Sequence, residues 1–259
     1  MEHPELLEIT RQVLACRKCR DCPETFLGGL SVLRSPWLPP RGWAGLPVPG
    51  KTDVVLVALN TGAPFKNEPA EREKIGIYEI STTISPEQAL KMNEFALNTY
   101  QHPPRGQDSV FHRKSLALAQ AILWLLDNKD PGESVWNRCW FTDLFKCSTR
   151  RENSPQLTKS AVDACRSYLD AELKACNPKI VVALGNRAFK HLAGSAYNVV
   201  KFRHPSNGCP RLDAAYHDNA FGEVAKLLNV SYNKDAFRHT RKAVYECAMN
   251  PWSASGWPA

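Results

Sequence analysis

Two distant pairs of cysteines, and three polar clusters that each close an apolar run, are the parts of this chain that could do chemistry. Cys16 and Cys19 form a C-x2-C pair near the N-terminus, and Cys147 and Cys165 lie beyond the middle. A C-x2-C pair reaches one metal at little conformational cost. Four thiolates from two segments can close an iron–sulfur cube or a tetrahedral zinc site. Such a site would clamp the N-terminal helix to the later half of the chain. The plain alternative is four buried thiols that hold no metal.

The polar clusters are Asn60-Thr61-Gly62-Ala63-Pro64 after DVVLVAL, Asp143 within FTDLFKC, and His204-Pro205-Ser206 after NVVKFR. Taken singly they are unremarkable, because an Asn in a turn after a strand is common and a lone His usually sits at a surface. Their value lies in the elements that would carry them. Residues 53–59 are a short, fully apolar, β-branched run and predict a buried parallel strand. Further strands are predicted at 136–147 (WNRCWFTDLFKC), 178–185 (PKIVVALG) and 198–206 (NVVKFRHPS).

Helices are predicted at 4–15, about 86–100, 114–127, 154–176 and after Asn186, with two more near 213–228 and 233–248. Residues 24–50 read as an irregular Pro/Gly-rich arm, and 66–112 as largely polar and broken by prolines. Strands alternating with helices imply a parallel sheet covered on both faces, and such sheets bind ligands at their C-terminal edge. Three polar signatures at strand ends on that edge describe an active site.

Composition sets the class. The chain has 259 residues, 43% of them hydrophobic and 23% charged, with nine cysteines and a net charge of +7. These values suit a globular protein with a full core. No run approaches the ~20 apolar residues of a membrane helix, and MEHPELLEITRQ has no signal-peptide core. A cytoplasmic location is expected, where thiols stay reduced and cysteines serve as metal ligands or buried hydrophobes. The positive balance, with KCSTRR at 146–151 and KFRHPS at 201–206 flanking the motifs, favours a polyanionic partner.

In the order CRKC, VALNTGAPF, FTDLFKC, CRSYLDAELKACNPKIVVALG and RHPS, the chain resembles the uracil-DNA glycosylase superfamily, most closely its iron–sulfur branch. The resemblance covers residues 1–20, 53–65 and 139–206, with an insertion at about 66–112 and a helical extension at about 229–259 of a single domain spanning 1–259. It implies a three-layer α/β/α sandwich around a four-stranded parallel sheet. It places Cys16, Cys19, Cys147 and Cys165 on a [4Fe–4S] cluster, with zinc as the alternative; Cys22, before Pro23, falls outside the pattern.

The same resemblance makes Asn60 the residue that positions the attacking water. An amide orients water without deprotonating it, which suffices when the glycosidic bond breaks first. His204 would steady negative charge on the departing base, an oxyanion-hole role, and Ser206 would contact a phosphate. Phe65 and Tyr78 are the candidates to stack on a flipped base, either of which could equally be core. Arg211 and Leu212 occupy the loop that in the family wedges into the duplex.

Asp143 departs from the pattern, since the matching family position is an Asn that reads the base edge. An ionised Asp accepts from the N3–H of uracil but repels O4, whereas the amino group of cytosine suits a carboxylate. A protonated Asp in a dry pocket would mimic Asn. The expectation is a monomeric DNA glycosylase acting on a deaminated base, uracil first, in base excision repair. The alternatives are a glycosylase for another base such as hypoxanthine, and a silent nucleic-acid binder.

Overall fold

The computed structural model describes residues 3–18, 51–60, 68–78, 81, 83–101, 110–132, 135–147, 159–205 and 209–249. Four strands form one parallel sheet: β1 (Val54–Asn60), β2 (Cys139–Phe145), β3 (Ile180–Leu184) and β4 (Val199–Phe202), in the order β2-β1-β3-β4. The register pairs Val54 with Ile180 and Val57 with Ala183, then Val181 with Val199 and Leu184 with Phe202. Every residue of β3 is buried, as expected of a strand covered on both faces. The helices pack around this sheet as a three-layer α/β/α fold.

The helices are α1 (Pro4–Leu14), α2 (Glu68–Ile75), α3 (Pro86–Gln101), α4 (Val110–Asp127), the single turn α5 (Val135–Arg138), α6 (Lys159–Cys176), α7 (Asn186–Leu192), α8 (Asp218–Leu228) and α9 (Lys234–Met249). No helix among the described residues is long and apolar enough to cross a membrane.

Contacts within the chain gather into two units. One comprises Met1–Gly45, Ala58–Gln107 and Phe141–Cys176; the other comprises Leu46–Val57, Asp108–Trp140 and Asn177–Ala259.

In the first unit α1 packs on α3 and α6. Its apolar stripe, Leu6, Ile9, Val13 and Leu14, recurs at helical spacing and is buried. Leu14 joins Ile77, Ile84, Ala89, Met92 and Phe95 in one cluster. The His3 ring donates from Nε2 to the carbonyl of Ala175 at 3.0 Å, which pins the start of α1 to the end of α6.

In the second unit α4 is the main helix, buried at almost every position from Lys114 to Leu125 and covered by α8 and α9. The N-terminal end of β1 is fastened by charge. Asp53 accepts from Arg138 Nε at 2.5 Å and pairs with Lys179 Nζ at 2.7 Å, while Arg138 also pairs with Asp127.

Sequence and structure differ at defined places. Residues 136–138 belong to α5 rather than to the second strand, because Arg138 turns to meet Asp53 and Asp127. Helix α4 begins four residues earlier than predicted, at Val110. Helix α2 lies in a stretch read as polar and broken by prolines, and its buried residues are the charged pair Glu68 and Arg72, bonded at 2.8 Å.

Candidate active site

β4 ends at Phe202 and hands the chain to Arg203, His204 and Pro205. His204 is held from behind by Gly185, which closes β3. Gly185 has φ +97°, and its N–H donates to the carbonyl of Phe202 at 2.8 Å. A Cβ built on Gly185 would lie 3.3 Å from the Cβ of His204, so the two backbones meet where only glycine leaves room.

The His204 ring faces Phe111, the second residue of α4, with centroids 5.0 Å apart and planes tilted by 32°. His204 keeps an open face, yet burial by its neighbours draws its pKa below the ordinary imidazole value. The neutral ring is therefore favoured, and a neutral ring still carries one N–H to donate.

The cations beside it are on the surface. Arg203 stacks on exposed Tyr216 at 5.6 Å, and Lys201 lies 5.5 Å from the Phe189 ring. The loop after the motif differs from the sequence reading. Leu212 is buried rather than projecting, while Arg211 pairs with Asp213 and Glu246 and lies over Tyr245.

In the other unit Asp143 is the one position of β2 that is only half-buried. Its neighbour Thr142 points to α6, so alternation puts Asp143 on the opposite face of the strand. Thr142 donates from Oγ1 to Glu172 Oε2 at 2.6 Å, and Lys146 Nζ lies 2.6 Å from the same oxygen. Lys146 and Glu172 are both 1% exposed. Lys146 is therefore no part of a basic surface, which corrects the reading of KCSTRR as a DNA-facing cluster at that residue. The network leaves little trace in the sequence: a Lys directly after the apolar pair Leu144-Phe145.

Three cysteines collect next to that network. Cys165 and Tyr168 lie three apart on α6, hence on one face, and α1 runs into Cys16 against the same helix. Burial raises the pKa of the Tyr168 phenol. Its hydrogen bond with Cys16 and the nearby thiols of Cys16, Cys165 and Cys147 raise it further. Lys18 Nζ covers the Tyr168 ring at 5.7 Å. Cys147 and Cys165 are buried, and none of the three is in a disulfide. Among the described residues no group of three or more His, Cys, Asp and Glu is placed to hold a metal ion.

The remaining candidates divide. Tyr78 is 55% exposed, so its ring is not core. Asn60 ends β1, where a strand's C-terminal edge puts it. The side chain of Asn60 lies outside the described residues, as do Cys19, Cys22, Phe65 and Ser206.

The profile of the uracil DNA glycosylase superfamily matches residues 58–219. The chain belongs to that superfamily. The match takes in Asn60, Asp143, Cys147, Cys165 and His204, and it leaves Cys16, Cys19 and α9 outside. The superfamily is one of DNA glycosylases, hydrolases of DNA repair. Among curated proteins, none matches the chain.

Proposed function

We propose that this superfamily member is a monofunctional DNA glycosylase that releases a deaminated base, uracil first, by hydrolysing its N-glycosidic bond. The observation that carries the reading is the mounting of His204 at the end of β4, between Gly185 and Phe111, with its neutral form favoured. A neutral imidazole N–H aimed at a base carbonyl stabilises charge that develops as the bond breaks. In that chemistry the C1′–N bond breaks with its electron pair going to the base. Water held by Asn60 then adds to the sugar cation, and the proton it loses passes through solvent to the base anion, which leaves as free base. Asp143 reads the base edge, Ser206 and the exposed cations Lys201 and Arg203 hold phosphates, and Phe65 or Tyr78 stacks on the flipped base.

We assign the chain to the iron–sulfur branch. The support is the donor set: thiols of Cys16, Cys147 and Cys165 gather around one phenol, with Cys19 three residues beyond Cys16. These four would hold a [4Fe–4S] cluster, or zinc in its place. When bound, the group supplies a structural brace and no step of the reaction. The chain's own residues do the rest: α1 is clipped to α6, and the Lys146–Glu172 pair fixes β2 to α6 beside Cys147.

The test is base release from duplexes that each carry one uracil, hypoxanthine, xanthine or cytosine. Release of uracil as free base, leaving an abasic site, is the expected result. Release of hypoxanthine or cytosine alone would reassign the substrate, and binding without release of any base would support a silent member of the fold.

A further inference from the structure

Helix α4 has no role in the proposed chemistry, yet its first turn touches His204 directly. Phe111 faces the His204 ring at 5.0 Å, and His112 meets the Phe111 ring edge-on at 5.5 Å. Two residues further, Arg113 donates from Nη1 to the carbonyl of Met249 at 2.6 Å, at the end of α9. Lys114, largely buried, donates from Nζ to the carbonyl of Cys209 at 2.9 Å, in the loop that follows His-Pro-Ser. Behind this turn α4 is buried through Leu125, so the turn has little freedom to move.

We propose that Phe111 is a positioning residue that fixes the ring plane of His204, with the first turn of α4 as its mount; the catalytic consequence rests on the glycosylase reading. Gly185 sets where the His204 backbone lies, and Phe111 sets which way the imidazole faces. A His at the end of a strand otherwise rotates freely about χ1 and χ2 at a cost far below that of misdirecting its N–H. An aromatic contact at this separation biases the ring toward one rotamer by about 2- to 10-fold. Arg113 and Lys114 make the mount common to the loop on one side and α9 on the other. A displacement of α9 or of the 209–212 loop therefore reaches His204 through α4.

The experiment compares wild type, Phe111→Leu and Phe111→Tyr by single-turnover base release and by carbon–proton spectra of the His204 ring. With Phe111→Leu, the release rate should fall roughly 2- to 10-fold, the scale of the orientation lost with one aromatic contact, with substrate affinity within about twofold. The His204 ring protons should move downfield as the shielding aromatic face leaves. Phe111→Tyr keeps the ring and should restore both readouts, and an unchanged melting temperature would show that each variant folds. An unmoved resonance overturns the proposal. So does a weakened affinity at an unchanged rate, because Phe111 would then touch the substrate itself. If wild type releases no base, the glycosylase reading fails, and the resonance alone decides whether Phe111 orients His204.

Discussion

A side chain at Gly185 would crowd His204: a Cβ there lies 3.3 Å from the Cβ of His204, at a backbone φ of +97°. Both facts bear on one substitution. Gly185→Ala places an L residue where it is strained, which costs about 1–3 kcal/mol, and it pushes the His204 backbone by a few tenths of an ångström. The expected outcome is a lower melting temperature and base release reduced by about 10-fold at saturating duplex. Calorimetry and single-turnover kinetics check the two separately. Loss of stability with unchanged release would show that the close approach serves folding alone.

The lowered pKa of His204 has a definite sign. Its folded value lies below the ordinary 6.5, so in the window just under 6.5 the unfolded chain binds more protons than the folded one. Stability therefore rises with pH across that window and is lost as pH falls through it. Buried His217 shifts in the same direction and adds to the effect. Proton-resolved titration should give midpoints below 6.5 for both rings, with the acidic limb of base release following His204. A His204 midpoint at or above 6.5 would contradict the burial argument.

Lys146 and Glu172 form a buried pair shared with Thr142. Breaking such a pair leaves one charge uncompensated, at about 3–5 kcal/mol. Glu172→Met or Lys146→Met alone should lower the melting temperature on the order of 10 °C. Replacing both residues together with Met should cost much less than the single change. A double-mutant cycle measures the difference, and strict additivity would show that the pair is not coupled.

The thiol group around Tyr168 gives the metal prediction. Purified anaerobically, the protein should be brown and contain iron and sulfide together. Cys147→Ser or Cys165→Ser should remove the colour and reduce the soluble yield, since α1 and α6 lose their joint. A colourless protein with one zinc per chain would keep the four-ligand assignment and remove the cluster.

How much of this is legible in the sequence depends on what holds each element together. Residues 53–59 read as a strand because apolar, β-branched packing alone decides them, and the strand lies at Val54–Asn60. Helix α2 was missed because its buried pair, Glu68 and Arg72, is charged, and a hydrophobic pattern carries no trace of it. Lys146 reads as surface charge because its partner Glu172 is far away in sequence. The motif residues His204 and Asp143 stand out by resemblance, whereas the contacts of Phe111 and Gly185 with His204 form only when α4, β3 and β4 are assembled. Leu212 looked like a wedge by its place in a loop, and it is core.

The measurement that bears most directly on the central claim is single-turnover base release from a uracil-containing duplex by wild type, His204→Ala and Asn60→Ala, beside duplex binding by the same proteins. Wild type should release free uracil. Each variant should lose ~10²-fold or more in rate, the usual scale for removing a group that stabilises or positions at the reacting centre. Binding should stay within a few-fold for all three and weaken steeply with salt. Variants that release base at the wild-type rate would contradict the account.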